Sequence, residues 1–439
     1  MVNHEILEDW YFERSLFKEL EKWLNRKEIL VIKGPRQAGK TTVLRILKDF
    51  LRRKRNIPEN RMIFLTLEDR DLLEKMEKNP KDFIKSFIRE EGAKYYFFLD
   101  EVQYLTECGQ KLKLLFDLFT NIKFIVTGSS SLELTSQTGK YLVGRAFSFY
   151  LFPLNFTEFI NIRNNQLANV FREKNKIVAD FIFHDHDYET KDDIFISDFL
   201  KYYEEYAIFG GYPEVVKADN AEAKKIILKN LYETYLTKDI IEILRMKDVN
   251  QFRNLVRFSA NQIGDMVKFN TISSDLGIYF QEVKRQFSVL EETYVASLIK
   301  PYSTNRVTEL KKSPKVYFFD AGLRNFIINN YNPLDARMDA GKLAENFIFN
   351  QLRTRFPETE IRYWRTTGKA EVDFVFAADT QIIPIEIKFS TFKEEKISRS
   401  FRSFIETYAP QKALIATKNF WGREKIGKTI VQFVPLFYI

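Results

Sequence analysis

The sequence predicts an α/β protein with a parallel sheet at its N-terminal end, a helical middle, and a second, smaller α/β domain at its C-terminal end. Short uninterrupted apolar runs alternate with helical stretches over the first 150 residues, the pattern of buried parallel strands joined by helices. Strand-like runs thin out over 153–245 and return after residue 311. A chain of 439 residues exceeds one ordinary core, and its length suggests about three domains.

Residues 1–27 place apolar side chains at helical spacing. Glu28–Lys33 (EILVIK) is a short buried strand that runs into a Gly-rich loop, and a helix follows over roughly Lys40–Arg53. Arg61–Leu67, Tyr95–Leu99 and Lys123–Val126 are further strands, separated by helical stretches near 80–91 and 109–120. Residues 1–155 form this first domain. Residues 156–248 hold an insertion and a helical lid. Within them 161–195 is polar, and 196–245 is helical but interrupted by Gly210-Gly211-Tyr212-Pro213. The run His184-Asp185-His186-Asp187 reads as an exposed polar turn or as a metal site. Residues 249–310 read as three helices and a short strand pair, resembling a winged helix whose third helix carries Lys284 and Arg285. Residues 311–439 return to α/β. Strands are expected at Lys315–Phe319, Ile361–Trp364, Val372–Phe376 and Ile382–Ile387, with a helix near 341–355.

Composition narrows the function classes. No apolar run approaches the length of a membrane span, and no membrane association is expected. The N-terminus lacks the apolar core of a signal peptide. One cysteine, Cys108, excludes an internal disulfide, and a cytoplasmic location is expected. The net charge is +8, and residues 311–439 hold 21 Lys and Arg against 14 Asp and Glu, so nearly all the basic excess lies there. That asymmetry points to a polyanion such as DNA, or to a solvated basic face.

The strongest motif is Gly34-Pro35-Arg36-Gln37-Ala38-Gly39-Lys40-Thr41, followed by Thr42. It fits the phosphate-binding pattern G-x-x-x-x-G-K-[ST] and lies between a strand and a helix, the required context. Glycines let backbone N–H groups curl around phosphate oxygens, and the helix N-terminus adds its positive end. Lys40 reaches the β- and γ-phosphates, and the Thr41 hydroxyl ligates Mg²⁺. Phe97-Phe98-Leu99-Asp100-Glu101 is an apolar strand ending in two carboxylates. Asp100 would hold the Mg²⁺ shell and Glu101 would polarise the attacking water. The pair favours an ATPase. In additional-strand NTPases the position after the next strand senses the γ-phosphate. Ser129 is the first choice here and Thr127 the second.

Residues 28–160 resemble AAA-type ATPases widespread in archaea and bacteria, through GPRQAGKTT, FFLDEVQ, TGSSS and LVGRAFSFYLFPLNFTEF. The resemblance implies that Arg145 contacts phosphate within or between subunits, unless it pairs with an acid, and that the chain forms an oligomer in the between-subunit case. Gly210–Pro213 resembles the Gly-x-Pro signature of related signalling ATPases, in which Pro213 would pack near adenine. A helix-breaking turn is the other reading.

A second constellation is Glu345, Asp373, Glu386 and Lys388. Glu386 and Lys388 flank Ile387 and share one face of a strand. The spacing D-x₁₂-E-x-K across a hairpin, with an upstream helical Glu, resembles the PD-(D/E)XK nuclease fold. That resemblance implies a divalent metal held by Asp373 and Glu386, with Lys388 orienting water or balancing the developing charge. Through KVYFFDAGL, GKLAENFIFNQL, YWRTTGKAEVDFVF and IPIEIK, nearly the whole chain except 161–195 resembles the family that joins this ATPase to an uncharacterised restriction-endonuclease-like domain. The expected function is an ATP- and Mg²⁺-dependent ATPase coupled to a nuclease-like domain that acts on or docks to DNA, with ATP-driven movement of the middle modules controlling access to that domain. The rival is a nucleotide-controlled signalling or scaffolding ATPase with a protein target and an inactive nuclease-like domain.

Overall fold

The computed structural model describes residues 12, 14–128, 141–183, 193–234, 248–302, 313–357, 359–378 and 381–439. By contact the chain divides into two compact units, Met1–Pro153 with Glu292–Tyr294, and Leu154–Glu291 with Val295–Ile439. No described helix is long and apolar enough to cross a membrane.

The first unit is a parallel five-stranded sheet of β1 (Ile29–Lys33), β2 (Met62–Thr66), β3 (Tyr95–Asp100), β4 (Ile122–Gly128) and β5 (Ala146–Tyr150). Its order is β2-β3-β4-β1-β5. Every pairing is parallel. Strand alternation splits the apolar side chains between two cores. Leu30, Ile32, Phe98 and Ile125 face the helix Lys40–Arg55 through Val43, Leu44 and Leu47. Ile29, Val31, Phe97, Leu99 and Val126 face the other layer, with Met76, Ile84, Leu112 and Leu115. The helix expected near 80–91 is shorter, Pro80–Lys85, and a helix not read from sequence, Arg70–Lys78, precedes it. Asn79 ends the earlier helix, caps the later one through Asp82 N–H, and Pro80 follows at the first helical position. Strand β5 was not read from sequence. Its residues are only half-buried, so no continuous buried run marks it.

The second unit contains the segment expected as a polar insertion. Residues Asn165–Phe183 are a helix, and Ala168, Phe171, Val178, Phe181 and Ile182 bury one face. The polar residues between them hid that spacing. The His184–Asp187 run lies outside the described residues. Aromatic edges knit the helices Phe156–Arg163 and Ile196–Phe209 to the helix Ala340–Arg355. Phe347 meets Phe156 at 5.4 Å, Tyr203 at 5.0 Å and Tyr206 at 5.8 Å.

Gly210, Gly211 and Gly322 form a close-packed joint around Asp320. A Cβ on Gly322 would lie 1.9 Å from the Phe209 carbonyl oxygen, and one on Gly211 2.2 Å from that of Leu154. The buried Asp320 carboxylate accepts from Gly211 N–H at 2.7 Å and Leu323 N–H at 2.8 Å. Burial still pushes its carboxyl up to about 6, against those hydrogen bonds.

The helices Val249–Asn261, Phe269–Leu276 and Phe280–Glu292 are followed by an antiparallel ribbon of β6 (Ala296–Ile299) and β7 (Lys315–Phe318). Strand β7 was expected in the C-terminal domain, so the ribbon straddles the boundary expected at 310/311. The C-terminal sheet has the order β12-β13-β11-β10-β9-β8. It comprises β8 (Ile361–Arg365), β9 (Glu371–Ala378), β10 (Gln381–Lys388), β11 (Lys412–Thr417), β12 (Gly422–Ile426) and β13 (Thr429–Pro435). Strands β8, β9 and β10 form an antiparallel meander, and β11 joins β10 in parallel after the helix Arg399–Tyr408. The last three strands were not read from sequence.

Candidate functional site

The Gly-rich loop leaves β1 and enters the helix Lys40–Arg55. Gly34 passes so close to β5 that a Cβ would lie 2.0 Å from the Leu151 carbonyl oxygen. Gly39 caps the helix at φ +97, which favours glycine. Pro35 and Ala38 are buried, Thr42 is exposed, and Gln37 adopts φ +57. Lys40 is 4% exposed. Its Nζ donates to the carbonyls of Gly34 (3.2 Å) and Pro35 (2.9 Å) and lies 3.8 Å from Glu101 Oε1. Burial lowers its proton affinity, and the charges of Glu101 and Asp100 oppose that.

The two motifs meet through Asp100. Thr41 Oγ1 donates to Asp100 Oδ2 at 2.7 Å. Thr127 Oγ1, at the end of β4, donates to Asp100 Oδ1 and accepts from Glu101 N–H at 3.0 Å. Parallel strands place these groups together, because β1, β3 and β4 all end at the same edge of the sheet. Glu101 turns sharply at φ +56, and its carboxylate accepts from Gln103 Nε2. Ser129 lies outside the described residues. The described polar group at that strand end is Thr127.

Sequence reasoning missed Arg14. Its guanidinium is buried and donates to Ala38 O (2.7 Å) and Phe152 O (2.6 Å), clamping the loop from a segment 24 residues upstream. No local signal announces such a contact. Arg36 Nη2 donates to Tyr104 Oη at 2.9 Å.

Arg145 stands elsewhere. Register pairs Ile29 with Ala146, so Arg145 precedes β5 at the start of the sheet, while the loop follows β1 at the end. The length of β1, about 15 Å, separates the two. Arg145 Nε pairs with Asp117 Oδ1 at 3.0 Å. Of the roles left open for it, contact with phosphate in its own subunit is excluded by this register, and pairing with an acid is what the geometry holds. Pro213 opens the short helix Pro213–Lys217 in the second unit, beside the Asp320 joint.

In the second unit Asp373 Oδ2 accepts from Ile387 N–H across the β9–β10 hairpin at 2.7 Å. Glu386 is 3% exposed, pairs with Lys388 Nζ at 2.8 Å and accepts from Ser398 Oγ at 2.8 Å. Glu345 accepts from Tyr317 Oη at 3.1 Å and lies 3.2 Å from Lys342 Nζ and 3.8 Å from Lys315 Nζ. Burial, reinforced by Asp373, pushes the Glu345 carboxyl up to about 7. Lys388 feels Glu386, Asp373 and Glu345 together, so the four expected residues share one neighbourhood. Lys315, Lys342 and Tyr317 belong to it as well and were not foreseen. Among the described residues no three His, Cys, Asp or Glu side chains converge as a metal site.

Comparison with known proteins finds three matches along the chain. Residues 26–160 match the model of an AAA domain. That region is similar to AAA-type P-loop ATPases. Residues 200–333 and 340–438 match two domains of unknown function, DUF8612 and DUF4143. An uncharacterized protein of Haemophilus influenzae is 24% identical over 428 residues, covering 96% of each chain. The uncharacterized protein MJ1544 of Methanocaldococcus jannaschii is 25% identical, over 96% of this chain and 90% of its own. Among solved structures, the Aeropyrum pernix ORC2 protein in its ADP form has 12% identity and a TM-score of 0.38, over 74% of this chain and 96% of its own.

Proposed function

We propose that the first unit binds ATP with Mg²⁺ and hydrolyses it. The observation that carries this is the 2.7 Å hydrogen bond from Thr41 to Asp100, which puts the two expected Mg²⁺ groups at one point beside the loop. Hydroxyl and carboxylate oxygens suit this hard cation. When bound, Mg²⁺ neutralises phosphate charge. The loop N–H groups and Lys40 hold the phosphates, Thr127 fixes Asp100, and Glu101 takes a proton from the attacking water. Lys40→Ala should abolish nucleotide binding or turnover. Glu101→Gln should bind ATP and fail to hydrolyse it. Normal turnover by Glu101→Gln would remove the assigned base.

The β9–β10 hairpin and the basic excess support a restriction-endonuclease-like domain that docks on DNA. Its residues do not fit a divalent metal as arranged. Glu345 is turned to Lys342, Lys315 and Tyr317, and Glu386 to Lys388 and Ser398. No cleavage step is therefore derived. These same pairs favour the second reading, an inactive nuclease-like domain in a signalling or scaffolding ATPase with a protein target. A salt titration separates the two. Docking on DNA weakens steeply with salt through counterion release, whereas the scaffold shows no DNA affinity at moderate salt.

A further inference from the structure

Apart from the carboxylate cluster, the second unit holds a cleft of about 460 Å³ between β6, the helix Phe269–Leu276, the helix Ala340–Arg355 and the start of β8. That volume falls among those of small-molecule sites, roughly 300–1,000 Å³. Phe269, Leu298, Ile299 and Phe349 give it apolar walls. Four charged side chains line it as well, and they are not alike. Both acids are engaged. Glu291 Oε1 accepts from Leu298 N–H at 2.9 Å, and Glu360 Oε1 pairs with Arg362 Nη2 at 2.6 Å. Both cations stand without an acid. Among the described residues, no hydrogen bond or ion pair reaches the side chain of Arg353 or of Lys300. Arg353 Nε is moreover buried with no acceptor. A buried donor is seldom left so in a folded protein, because its lost hydration is not replaced. Lys300 is exposed and Arg353 half-buried, so the two cations stand at different depths. Phe349 and Arg353, four residues apart, share one face of their helix, which sets apolar surface beside the unpaired guanidinium.

We propose that this cleft binds a small organic oxyanion, a carboxylate or phosphate ester carried on an apolar body. The Arg353 guanidinium supplies the paired donors that suit either oxyanion, and Lys300 adds charge nearer solvent. The apolar body lies against Phe269, Leu298 and Phe349. A neutral ligand would leave the guanidinium without a counter-charge, and a cationic one would be repelled. An inorganic ion would leave the apolar walls in water. The cleft lies within the second unit, so this inference is independent of the ATPase reading.

The test titrates phenylbutyrate, phenyl phosphate and the neutral phenylbutyramide against the full-length chain by saturation-transfer nuclear magnetic resonance, with excess Mg·ADP to occupy the Gly-rich loop. Wild type, Arg353→Met, Arg353→Lys and Leu298→Trp are compared. At least one oxyanion should bind wild type with a Kd below about 1 mM, and the amide should bind at least about tenfold more weakly. The tighter of the two oxyanions tells carboxylate from phosphate ester. Arg353→Met should weaken the oxyanion by about tenfold or more and lose the preference over the amide, and Arg353→Lys should recover part of both. Leu298→Trp, which fills the cleft, should abolish binding. Without ligand, Arg353→Met should melt no lower than wild type, since it removes a buried donor that nothing satisfies. A purely structural arginine would instead lower the melting temperature and leave ligand affinity unchanged. Failure of both oxyanions to bind wild type up to about 10 mM, equal affinity for the amide, or affinity unchanged in Arg353→Met and Leu298→Trp overturns the proposal.

Discussion

The nucleotide end of the first unit and the carboxylate cluster of the second are both built from buried charge, but they are held differently. At the first, backbone geometry does the holding. Gly34 and Gly39 shape the loop, strand ends deliver Asp100 and Thr127, and the acid oxygens accept from neutral hydroxyls. A cation added there meets the Asp100 oxygens, which accept from hydroxyls, while the Lys40 ammonium lies 3.8 Å from Glu101. At the second, side-chain cations do the holding. Lys342 and Lys315 stand on Glu345, and Lys388 stands on Glu386. A cation added there must displace an ammonium that the fold already supplies. On the proposed reading the first arrangement takes Mg²⁺, whereas the second is neutralised from within.

That contrast breaks first at Lys40. Lys40→Ala should weaken ATP binding by more than about 100-fold, measured by calorimetry, because it removes the ammonium that sits against the loop carbonyls. The next expectation is metal stoichiometry. Wild type should bind one Mn²⁺ per chain, and only with nucleotide, by electron paramagnetic resonance. Lys342→Ala should add a second, nucleotide-independent ion if ammonium groups are what exclude it. A second ion in wild type would erase the contrast between the sites.

Smaller effects test the supports. Gly322→Ala forces a methyl to within 1.9 Å of the Phe209 carbonyl, and should destabilise the second unit by about 3 kcal/mol or more in urea unfolding. Asp320 adds a pH dependence. Its folded carboxyl titrates at about 6, above the ordinary value of 3.8, so the folded state holds the proton more tightly. Stability is then greatest below pH 4 as far as this group is concerned. It falls as pH rises from about 4 to 6, by up to about 3 kcal/mol, and is level above. Asp320→Asn should flatten that slope. Arg14→Lys, which keeps the charge and loses the fork, should lower the melting temperature by a few degrees and weaken ATP binding only mildly.

The same two regions differ in how much the sequence revealed. The loop, the Asp100-Glu101 strand end and four of the five strands of the first sheet follow from contiguous patterns, since phosphate binding needs consecutive backbone amides. Arg14 and the Leu151 carbonyl touch that loop from 24 and more than 100 residues away, and nothing local marks them. For Arg145 the resemblance leaves phosphate contact and pairing with an acid both open, and the choice within one subunit follows from the β1–β5 register, which a single sequence does not fix. In the second unit the shared face of Glu386 and Lys388 was legible from period-2 spacing, and Asp373 from the resemblance of the D-x₁₂-E-x-K pattern. Lys315, Lys342 and Tyr317 were not, because they come from the ribbon strand and a helix turn brought in by tertiary packing. Strand β7 misled for the same reason. Its apolar run is clear, but its partner is β6 and not the sheet that follows.

Single-turnover hydrolysis of ATP by wild type and Glu101→Gln, with Mg²⁺ present, tests the central claim most directly. The account predicts that both bind ATP comparably and that only wild type releases phosphate, with the variant slowed by about 10²-fold or more. Equal rates of phosphate release, or no release from wild type, would contradict it.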